Sequence, residues 1–322
     1  MIISILLLIV GGALVLFGAD RLTDGATALA RRFGVTEMVI GLTVVAFGTS
    51  LPEFVTSFMS TLKGSSDISI GNIVGSNIFN TLVIVGASAL VYPIVIRKST
   101  VTKDIPFSVL ASIMLIVVVF DVALDGAAMN ILARTDGLLM LGFFSVFMAY
   151  TFFMARNTEE LSTSNESNVP VKQMPYWKIF LFIILGLAGL VLGGNLFVES
   201  ACEIALSLGI SETVVGLTIV AAGTSLPELA TSVVAARKGS SAIAIGNVVG
   251  SNIFNIFFVM GMCATIAPMK VGNISYIDLA LMLVSMLMLW GFSFSKRKIE
   301  RWEGALLVIV YLIYLSYLVY NA

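Results

Sequence analysis

The sequence contains no histidine and only two cysteines among its 322 residues, and Asp, Glu, Lys and Arg together make up only 11% of it. The lack of histidine excludes a histidine-based catalytic group, transition-metal site or proton relay. Soluble domains carry about 25% charged residues, so the shortage of charge excludes an ordinary soluble domain. Cys202 and Cys263 both lie in apolar segments, which favours buried thiols, with a disulfide between them as the alternative.

Hydrophobic residues, by contrast, make up 58% of the chain. Apolar runs of about 20 residues recur throughout, and each is long enough to cross about 30 Å of hydrocarbon as a helix. The alternating strands of a membrane barrel are missing. We therefore predict an all-α polytopic membrane protein that lies in the lipid bilayer. Charge clusters and Gly, Pro, Asn and Ser breaks place ten transmembrane helices near residues 2–19, 37–62, 68–92, 104–124, 136–155, 176–200, 212–236, 243–267, 276–294 and 302–320.

The basic residues indicate how these helices are oriented. With the N-terminus outside, the cytoplasmic connections hold fifteen of the 18 lysines and arginines, and the external ones hold only Lys63, Arg134 and Lys270. This bias follows the positive-inside rule. It predicts that both termini are extracytoplasmic and that the polar linker at 155–175 is cytoplasmic. The net charge of −1 describes short loops and gives no case for nucleic acid as a partner, and no obligatory protein partner is evident.

An internal repeat divides the chain. Residues 41–80 and 216–255 align at an offset of 175 and are identical at 28 of 40 positions, and weaker similarity continues upstream. We interpret the chain as two five-helix copies, at 1–154 and 176–322. Because five is odd, the second copy is expected to enter the membrane inverted. Transporters built in this way bind their substrate between the repeats near the membrane midplane, and a duplicated scaffold without a pathway is the alternative.

The motif GLTVVAFGTSLPE places polar atoms inside a predicted span of the first copy. Ala46, Thr49, Ser50 and Glu53 fall at i, i+3, i+4 and i+7 and share one helix face. Pro52 lacks an N–H, which frees a carbonyl and predicts a bend. The face therefore offers hydroxyl, carbonyl and carboxylate oxygens, the ligands that calcium and sodium prefer. The second copy repeats this set as Ala221, Thr224, Ser225, Pro227 and Glu228.

The next predicted helix of each copy carries a second motif, GNIVGSNIFN in the first copy and GNVVGSNIFN in the second. The polar side chains that stand one turn apart in these motifs are Ser76, Asn80, Ser251 and Asn255. The glycines of their GxxxG pairs, which favour close helix packing, are Gly71, Gly75, Gly246 and Gly250.

The two glutamates are the strongest indication of function. Glu53 and Glu228 lie well inside their predicted spans, and no Lys or Arg shares the interior of either helix. An ionised group at mid-membrane costs at least a few kcal/mol and marks a functional site by default. A bound cation would supply the missing counter-charge, and local pairing or snorkelling near a span end is the alternative.

Other charged residues lie near predicted helix ends, where we expect them at the membrane interface, with a role in an access path as the alternative. These residues are Asp20, Arg21, Asp24, Glu199 and Glu203, and Asp24 faces Glu199 at the offset of 175.

The doubled GTSLPE…GSNIFN pattern resembles the calcium/cation antiporter superfamily. It is most similar to prokaryotic sodium/calcium exchangers and their potassium-dependent relatives, and the resemblance spans essentially the whole chain. It implies ten helices, of which the second, third, seventh and eighth enclose the ions. It also implies alternating access by sliding of the first and sixth helices, and a location in the prokaryotic inner membrane.

Carried over position by position, the resemblance implies a set of cation ligands, with no catalytic residue and no cofactor. Glu53 and Glu228 are the implied central calcium ligands, shared with sodium. The other implied ligands are Ala46, Thr49, Ser50, Ser76, Asn80, Ala221, Thr224, Ser225, Ser251 and Asn255. Many sodium/calcium exchangers have Asp where Asn255 stands. In this sequence Asn80 and Asn255 are both neutral, so the implied site has two formal negative charges, enough to balance one Ca²⁺.

The resulting hypothesis is a secondary antiporter, not an enzyme, in which calcium leaves as sodium enters through one site exposed alternately to each side. Co-transport of potassium is left open. A calcium/proton antiporter is one alternative, although proton-coupled relatives usually show a different, GNxxE-like motif. A passive cation channel is the other alternative, although the sequence has no pore-loop signature.

Overall fold

The computed structural model describes residues 2–157, 174–209, 221–272 and 274–321, and nearly all of them are helical. In chain order, the helices within these ranges are α1 (Ile2–Phe33), α2 (Glu37–Thr49), α3 (Leu51–Leu62), α4 (Ser66–Val91), α5 (Thr100–Val118), α6 (Asp121–Asp125), α7 (Arg134–Asn157), α8 (Tyr176–Ser207), α9 (Ala221–Gly223), α10 (Leu226–Arg237), α11 (Ser241–Ile266), α12 (Tyr276–Phe294) and α13 (Arg301–Asn321). The strands are β1 (Ile94–Val95), β2 (Ile131–Leu132), β3 (Met269–Lys270) and β4 (Lys298–Ile299).

Eight of the described helices are long and apolar enough to cross a membrane, and the bent pair of α2 and α3 makes a ninth if it counts as one span. These helices follow the order of the predicted spans. The start of the predicted span at 212–236 and most of the predicted linker at 155–175 lie outside the described residues, and α9 and α10 form the described part of that span.

Two helices are longer than predicted. The first and sixth predicted spans end near residues 19 and 200, whereas α1 continues to Phe33 and α8 to Ser207. A helix of 32 residues is about 48 Å long, which exceeds the roughly 30 Å of hydrocarbon. Each helix can therefore cross the membrane and still extend beyond the hydrocarbon. The charged residues that follow position 19 lie within α1 and do not end it.

Helices α4 and α11 form the centre of the molecule. In their apolar windows 78% and 94% of the residues are buried, against 28% for α1 and 17% for α13. Apolar side chains such as Ile73, Ile78, Ile253 and Phe257 make up the core between them. The outer helices expose apolar side chains, which is the arrangement that lipid requires of a spanning helix.

The two sequence copies are joined by short antiparallel strand pairs. Strand β1 pairs with β4, with Ile94 opposite Ile299, and β2 pairs with β3, with Ile131 opposite Lys270. Each pair takes one strand from each copy. Neither copy is therefore a separate structural unit.

Glycines bring α1 and α8 together as an antiparallel pair. A Cβ added at Gly18 would lie 2.7 Å from the carbonyl oxygen of Gly186, and one added at Gly193 would lie 2.8 Å from that of Gly11. Real Cβ atoms do not approach backbone this closely, so this seam requires glycine.

The GxxxG pairs of α4 and α11 differ in their surroundings. A Cβ added at Gly250 would lie 2.7 Å from the carbonyl oxygen of Leu42 in α2, so the second pair packs closely, as predicted. No atom of the described chain lies within 4 Å of a Cβ added at Gly71 or Gly75. The residues that correspond to Leu42 on the other side, near position 217, lie outside the described residues, so close packing of the first pair stays a prediction.

Candidate cation-binding site

Two matched helix breaks position the glutamates. Ser50 separates α2 from α3, which are bent by 47°, and Ser225 lies between α9 and α10. The backbone angles are nearly equal, with φ −83° and ψ 9° at Ser50 and φ −88° and ψ 7° at Ser225. The proline that follows sits in the first turn of the next helix, where its missing N–H loses no helical hydrogen bond. Glu53 and Glu228 also lie in these first turns, where the helix dipole favours negative charge.

Each glutamate is held by the break serine of the other sequence copy. Ser50 Oγ donates to Glu228 Oε1 at 2.8 Å, and Ser225 Oγ donates to Glu53 Oε1 at 2.9 Å. All four side chains are fully buried. The crossed hydrogen bonds therefore gather the acidic groups of both copies in one place.

These carboxylates have no positive partner in the described part of the protein. The ion pairs found there join Arg21 and Lys238 to carboxylates of α1, and Lys296 to Glu300. Removing one ion from water costs several kcal/mol even after relaxation of the protein. The negative charge of two buried carboxylates is therefore not balanced by any described side chain, and a bound cation or a proton from outside would balance it.

Seven of the predicted ligand residues carry a buried oxygen atom that has no hydrogen-bond partner among the described residues. These atoms are Glu53 Oε2, Glu228 Oε2, Ser76 Oγ, Ser251 Oγ, Asn80 Oδ1, Asn255 Oδ1 and Thr224 Oγ1. Buried polar atoms are almost always hydrogen-bonded, so such a concentration at one place needs a physical reason. Calcium takes six to eight oxygen ligands, and this donor set contains only oxygen.

An asparagine network fixes which atom of each predicted amide ligand faces the site. Asn80 Nδ2 donates to Asn252 Oδ1 at 3.1 Å, and Asn255 Nδ2 donates to Asn77 Oδ1 at 3.2 Å. Asn252 is itself held by donating to Thr81 Oγ1 at 2.9 Å. Because the amide nitrogens of Asn80 and Asn255 are engaged, their oxygens remain available to a cation.

Asn77 and Asn252 are functional residues that the sequence analysis missed. The signal that could have found them is their retention in both motifs at the offset of 175. The π-helical turn that starts at Asn80 in α4 and the one at Phe254–Met260 in α11 lie beside them. Such turns inside α-helices occur frequently at functional sites, because they redirect side chains and loosen backbone hydrogen bonds.

A second pair of asparagines, also missed from sequence, supports the backbone at the glutamates. Asn72 Nδ2 donates to Ser57 Oγ at 2.9 Å and to the carbonyl oxygen of Glu53 at 3.4 Å. Its counterpart Asn247 makes the same two contacts in the second copy, at 3.0 and 3.3 Å. These bonds tie each glutamate-bearing helix to the next helix of its own copy.

The remaining predicted ligands lie at the same level. The Ala46 carbonyl accepts from Ser50 N at 3.0 Å and from Thr49 Oγ1 at 3.4 Å. Thr49 Oγ1 bonds to Asn247 Oδ1 at 3.0 Å, across the two copies. Ala221 lies in α9, and its side chain is outside the described part of the chain.

The site borders a cavity of about 380 Å³ between α3 and α8. Its lining residues are Leu51, Pro52, Val55, Thr56, Leu190, Val191, Gly194, Asn195, Val198, Gly223, Thr224 and Pro227. Thr224 lines this cavity, and its hydroxyl has no hydrogen-bond partner among the described residues. A cation in the cavity therefore meets Thr224 next to the buried glutamates.

Comparison with known proteins places this arrangement among transporters. Residues 3–153 and 178–320 match the family described as sodium/calcium exchanger protein. The putative antiporter CaxA of Alkalimonas amylolytica is 35% identical over 330 residues, with 100% of both chains covered. The sodium/calcium exchanger MaX1 of Methanosarcina acetivorans is 33% identical over 349 residues, with 99% of both chains covered.

A solved structure is also similar to this chain over nearly its whole length. The sodium-calcium exchanger NCX_Mj, soaked with 10 mM Na⁺ and 10 mM Sr²⁺, matches with a TM-score of 0.82 and 33% identity over 98% of each chain. These relatives are named as antiporters and exchangers rather than as enzymes. The chain thus belongs to the sodium/calcium exchanger protein family and is a transmembrane antiporter of cations.

Proposed function

We propose that this antiporter exchanges Ca²⁺ for Na⁺ through a single site centred on Glu53 and Glu228. The observation that carries the proposal is the pair of fully buried carboxylates, each held by a serine of the other copy and without an ion pair to any described side chain. Two carboxylates balance the charge of one Ca²⁺, and the same oxygens are suitable ligands for Na⁺. The two ions therefore compete for one place, which is the condition for exchange.

The proposed ligand set contains both glutamates and the oxygen atoms around them. Its members are Ala46, Thr49, Ser50, Glu53, Ser76, Asn80, Ala221, Thr224, Ser225, Glu228, Ser251 and Asn255. Support comes from the unpaired oxygens of seven of these residues and from the amide orientation that Asn77 and Asn252 impose.

Access to the site from one side favours alternating access over a channel. The cavity reaches Pro52 and Thr224, which neighbour the glutamates, from the side of α8. On the side of α1, the counterparts of three cavity-lining residues at the offset of 175 are Ala19, Thr23 and Thr231, and all three are buried. A channel needs a path through both sides at once, whereas an antiporter needs only one side open at a time.

The proposed architecture is ten spans in two inverted five-helix repeats, at 1–154 and 176–322, joined by a cytoplasmic linker at 155–175. The crossed serine–glutamate bonds, the crossed asparagine bonds and the two strand pairs all relate the copies reciprocally, which supports this arrangement. The distribution of basic residues supports extracytoplasmic termini in a prokaryotic inner membrane.

The test is a flux assay in reconstituted vesicles. Vesicles containing the purified protein are loaded with sodium, and uptake of radioactive calcium is followed with an outward sodium gradient, with a pH gradient, with a potassium gradient and with no gradient. We expect uptake with the sodium gradient and near-background uptake with no gradient. The matched control is the same protein with Lys270→Gln, an exposed lysine that is not among the proposed ligands.

The other outcomes identify the alternatives. Uptake driven only by the pH gradient would make the protein a calcium/proton antiporter. Calcium flux that is the same under every counter-gradient would make it a channel. Added dependence on potassium would show that a third ion is carried.

A further inference from the structure

An ion-pair cluster fastens α1 to the helix that carries Glu228. Lys238, which directly follows α10, has its Nζ 2.7 Å from Asp20 Oδ1 and 2.6 Å from Asp24 Oδ1. The same ammonium group donates to the carbonyl oxygen of Asp20 at 3.0 Å. The three side chains are between 29% and 39% exposed, so the cluster lies at the edge of the buried contact between α1 and α10. Nothing in the proposed ion site uses these residues.

The first sequence copy contains a matching set that is not assembled. At the offset of 175, Lys238 corresponds to Lys63, Asp20 to Asn195 and Asp24 to Glu199. Lys63 directly follows α3, the helix that carries Glu53. Lys63, Asn195 and Glu199 are all exposed, and Lys63 makes no ion pair with any described residue. The cavity, lined by Asn195, lies between the helices that this second set would join.

The two sets lie toward opposite ends of the α1–α8 pair. Gly25 of α1 packs against Ile183 of α8, which places Asp24 near the level of residue 183. Glu199 lies 16 residues farther along α8, which corresponds to about 24 Å at 1.5 Å per residue. The assembled set therefore marks the closed end, and the separated set marks the end with the cavity.

We propose that Lys238 with Asp20 and Asp24 is a latch that holds one face of the transporter closed, and that Lys63 with Glu199 and Asn195 forms the matching latch when the other face closes. The inference rests on the proposed alternating access. Because the two copies are matched in sequence, the contacts that close one face are expected to have counterparts that close the other face. The first latch has two carboxylates and the second has one carboxylate and one amide, so the first is stronger and favours the state described here.

The test measures which face is open through the reactivity of single cysteines. In a Cys202→Ser, Cys263→Ser background, one reporter is Thr23→Cys, which is buried on the closed side, and the other is its counterpart Val198→Cys in the cavity. Both are labelled with a charged maleimide in permeabilised proteoliposomes without calcium. Each reporter is combined with Lys238→Gln, with Lys63→Gln or with the control Lys98→Gln, an exposed lysine outside both latches.

The expected shifts have opposite signs. Lys238→Gln should raise the labelling rate at position 23 and lower it at position 198, each by about two- to fivefold, the size of effect that partly exposed ion pairs produce. Lys63→Gln should do the reverse by a smaller factor, and Lys98→Gln should change neither rate. Asp24→Asn should add little to Lys238→Gln in the double variant, because both remove the same contact.

Equal rates in all variants, or shifts of the same sign for Lys238→Gln and Lys63→Gln, would overturn the proposal. This failure is distinguishable from failure of the proposed function. The labelling measures the position of the helices without any coupling ion, whereas the proposed exchange fails only if the unmodified protein shows no sodium-driven calcium uptake.

Discussion

The two sides of the ion site are built from matched residues that are packed differently. Val55, Thr56 and Val198 line a cavity of about 380 Å³ beside α8. Their counterparts at the offset of 175, beside α1, are Ala230, Thr231 and Thr23, which are 8%, 0% and 1% exposed. Matched sequences thus occupy an open and a closed arrangement within one molecule. The difference teaches that the sequence of these segments permits both arrangements, as the proposed exchange of access between two inverted halves requires.

The centre of the site does not share this asymmetry. The crossed serine–glutamate distances are 2.8 and 2.9 Å, and the crossed asparagine distances are 3.1 and 3.2 Å. The contrast is therefore between a symmetric centre, which is the proposed ion site, and an asymmetric periphery, which is the proposed access path. The following predictions test that division.

The largest effect is expected at the symmetric centre. Glu53→Gln and Glu228→Gln should each reduce calcium uptake, and by similar factors, because each removes half of the negative charge that faces the cation. Losing one partner of a buried ion pair costs about 3–5 kcal/mol, which corresponds to a factor of roughly 10² to 4 × 10³ in affinity. Calcium titrations of sodium-driven uptake in vesicles measure this. Unchanged uptake in either variant would remove that glutamate from the site.

The next effect concerns the open side alone. Val191→Trp should lower uptake by roughly tenfold, because Val191 lines the cavity and a tryptophan buries about 150–250 Å² there. Leu192→Trp is the matched control, since the neighbouring Leu192 is 62% exposed and does not line the cavity. Equal uptake by both tryptophan variants would mean that ions do not reach the site through this cavity.

A smaller effect is expected at the glycine seam between α1 and α8, because one side of the site lies beside each of these two helices. Gly18→Ala should destabilise the protein by about 1–3 kcal/mol, since the added methyl group would lie 2.7 Å from backbone atoms of α8. Gly12→Ala, in the same helix, meets only a phenylalanine side chain at 3.7 Å and should be close to neutral. Thermal unfolding in detergent compares the two variants, and equal midpoints would contradict the close packing of the seam.

The smallest effect separates the two motif threonines. Thr49→Val removes the bond to Asn247 Oδ1 and leaves that buried oxygen unpaired, which should cost about 1 kcal/mol or more in the free energy of unfolding. Thr224 Oγ1 makes no hydrogen bond to a described residue, so Thr224→Val removes no matching bond between the copies and should have a smaller effect on unfolding. Both should weaken sodium binding if both hydroxyls are ligands. An equal loss of stability in the two variants would contradict a stabilising role of the Thr49–Asn247 bond.

Several features of the site could be predicted from the sequence because they follow from local chemistry. The bend before Pro52 is predicted from its missing N–H, and the structure places the break at Ser50, two residues earlier. Because the helix breaks there, the predicted face is divided between α2 and α3. The length of α1 could not be predicted in the same way, because Asp20, Arg21 and Asp24 have the composition of a helix end. In the structure, the close glycine packing against α8 continues past these residues, and α1 stays helical there.

The asparagine network could not be predicted because its partners come from different copies. Asn80 meets Asn252, and Asn255 meets Asn77, across 172 and 178 residues of sequence. Local periodicity places each side chain on a helix face but does not tell which distant helix lies against that face. The choice of amide oxygen rather than amide nitrogen for the site depends on that distant partner.

The sequence by itself determined that the chain is a helical membrane protein with two copies of an oxygen-rich, glutamate-bearing motif. Hydropathy, repetition and ligand chemistry are properties of residues and their spacing, so no fold is needed to recognise them. Only the tertiary structure decided that each glutamate is held by the serine of the other copy, which oxygens remain unpaired, and which side of the site is open. These properties depend on how α1 and α8 pack against the other helices, and two matched sequences cannot distinguish the side that is closed from the side that is open.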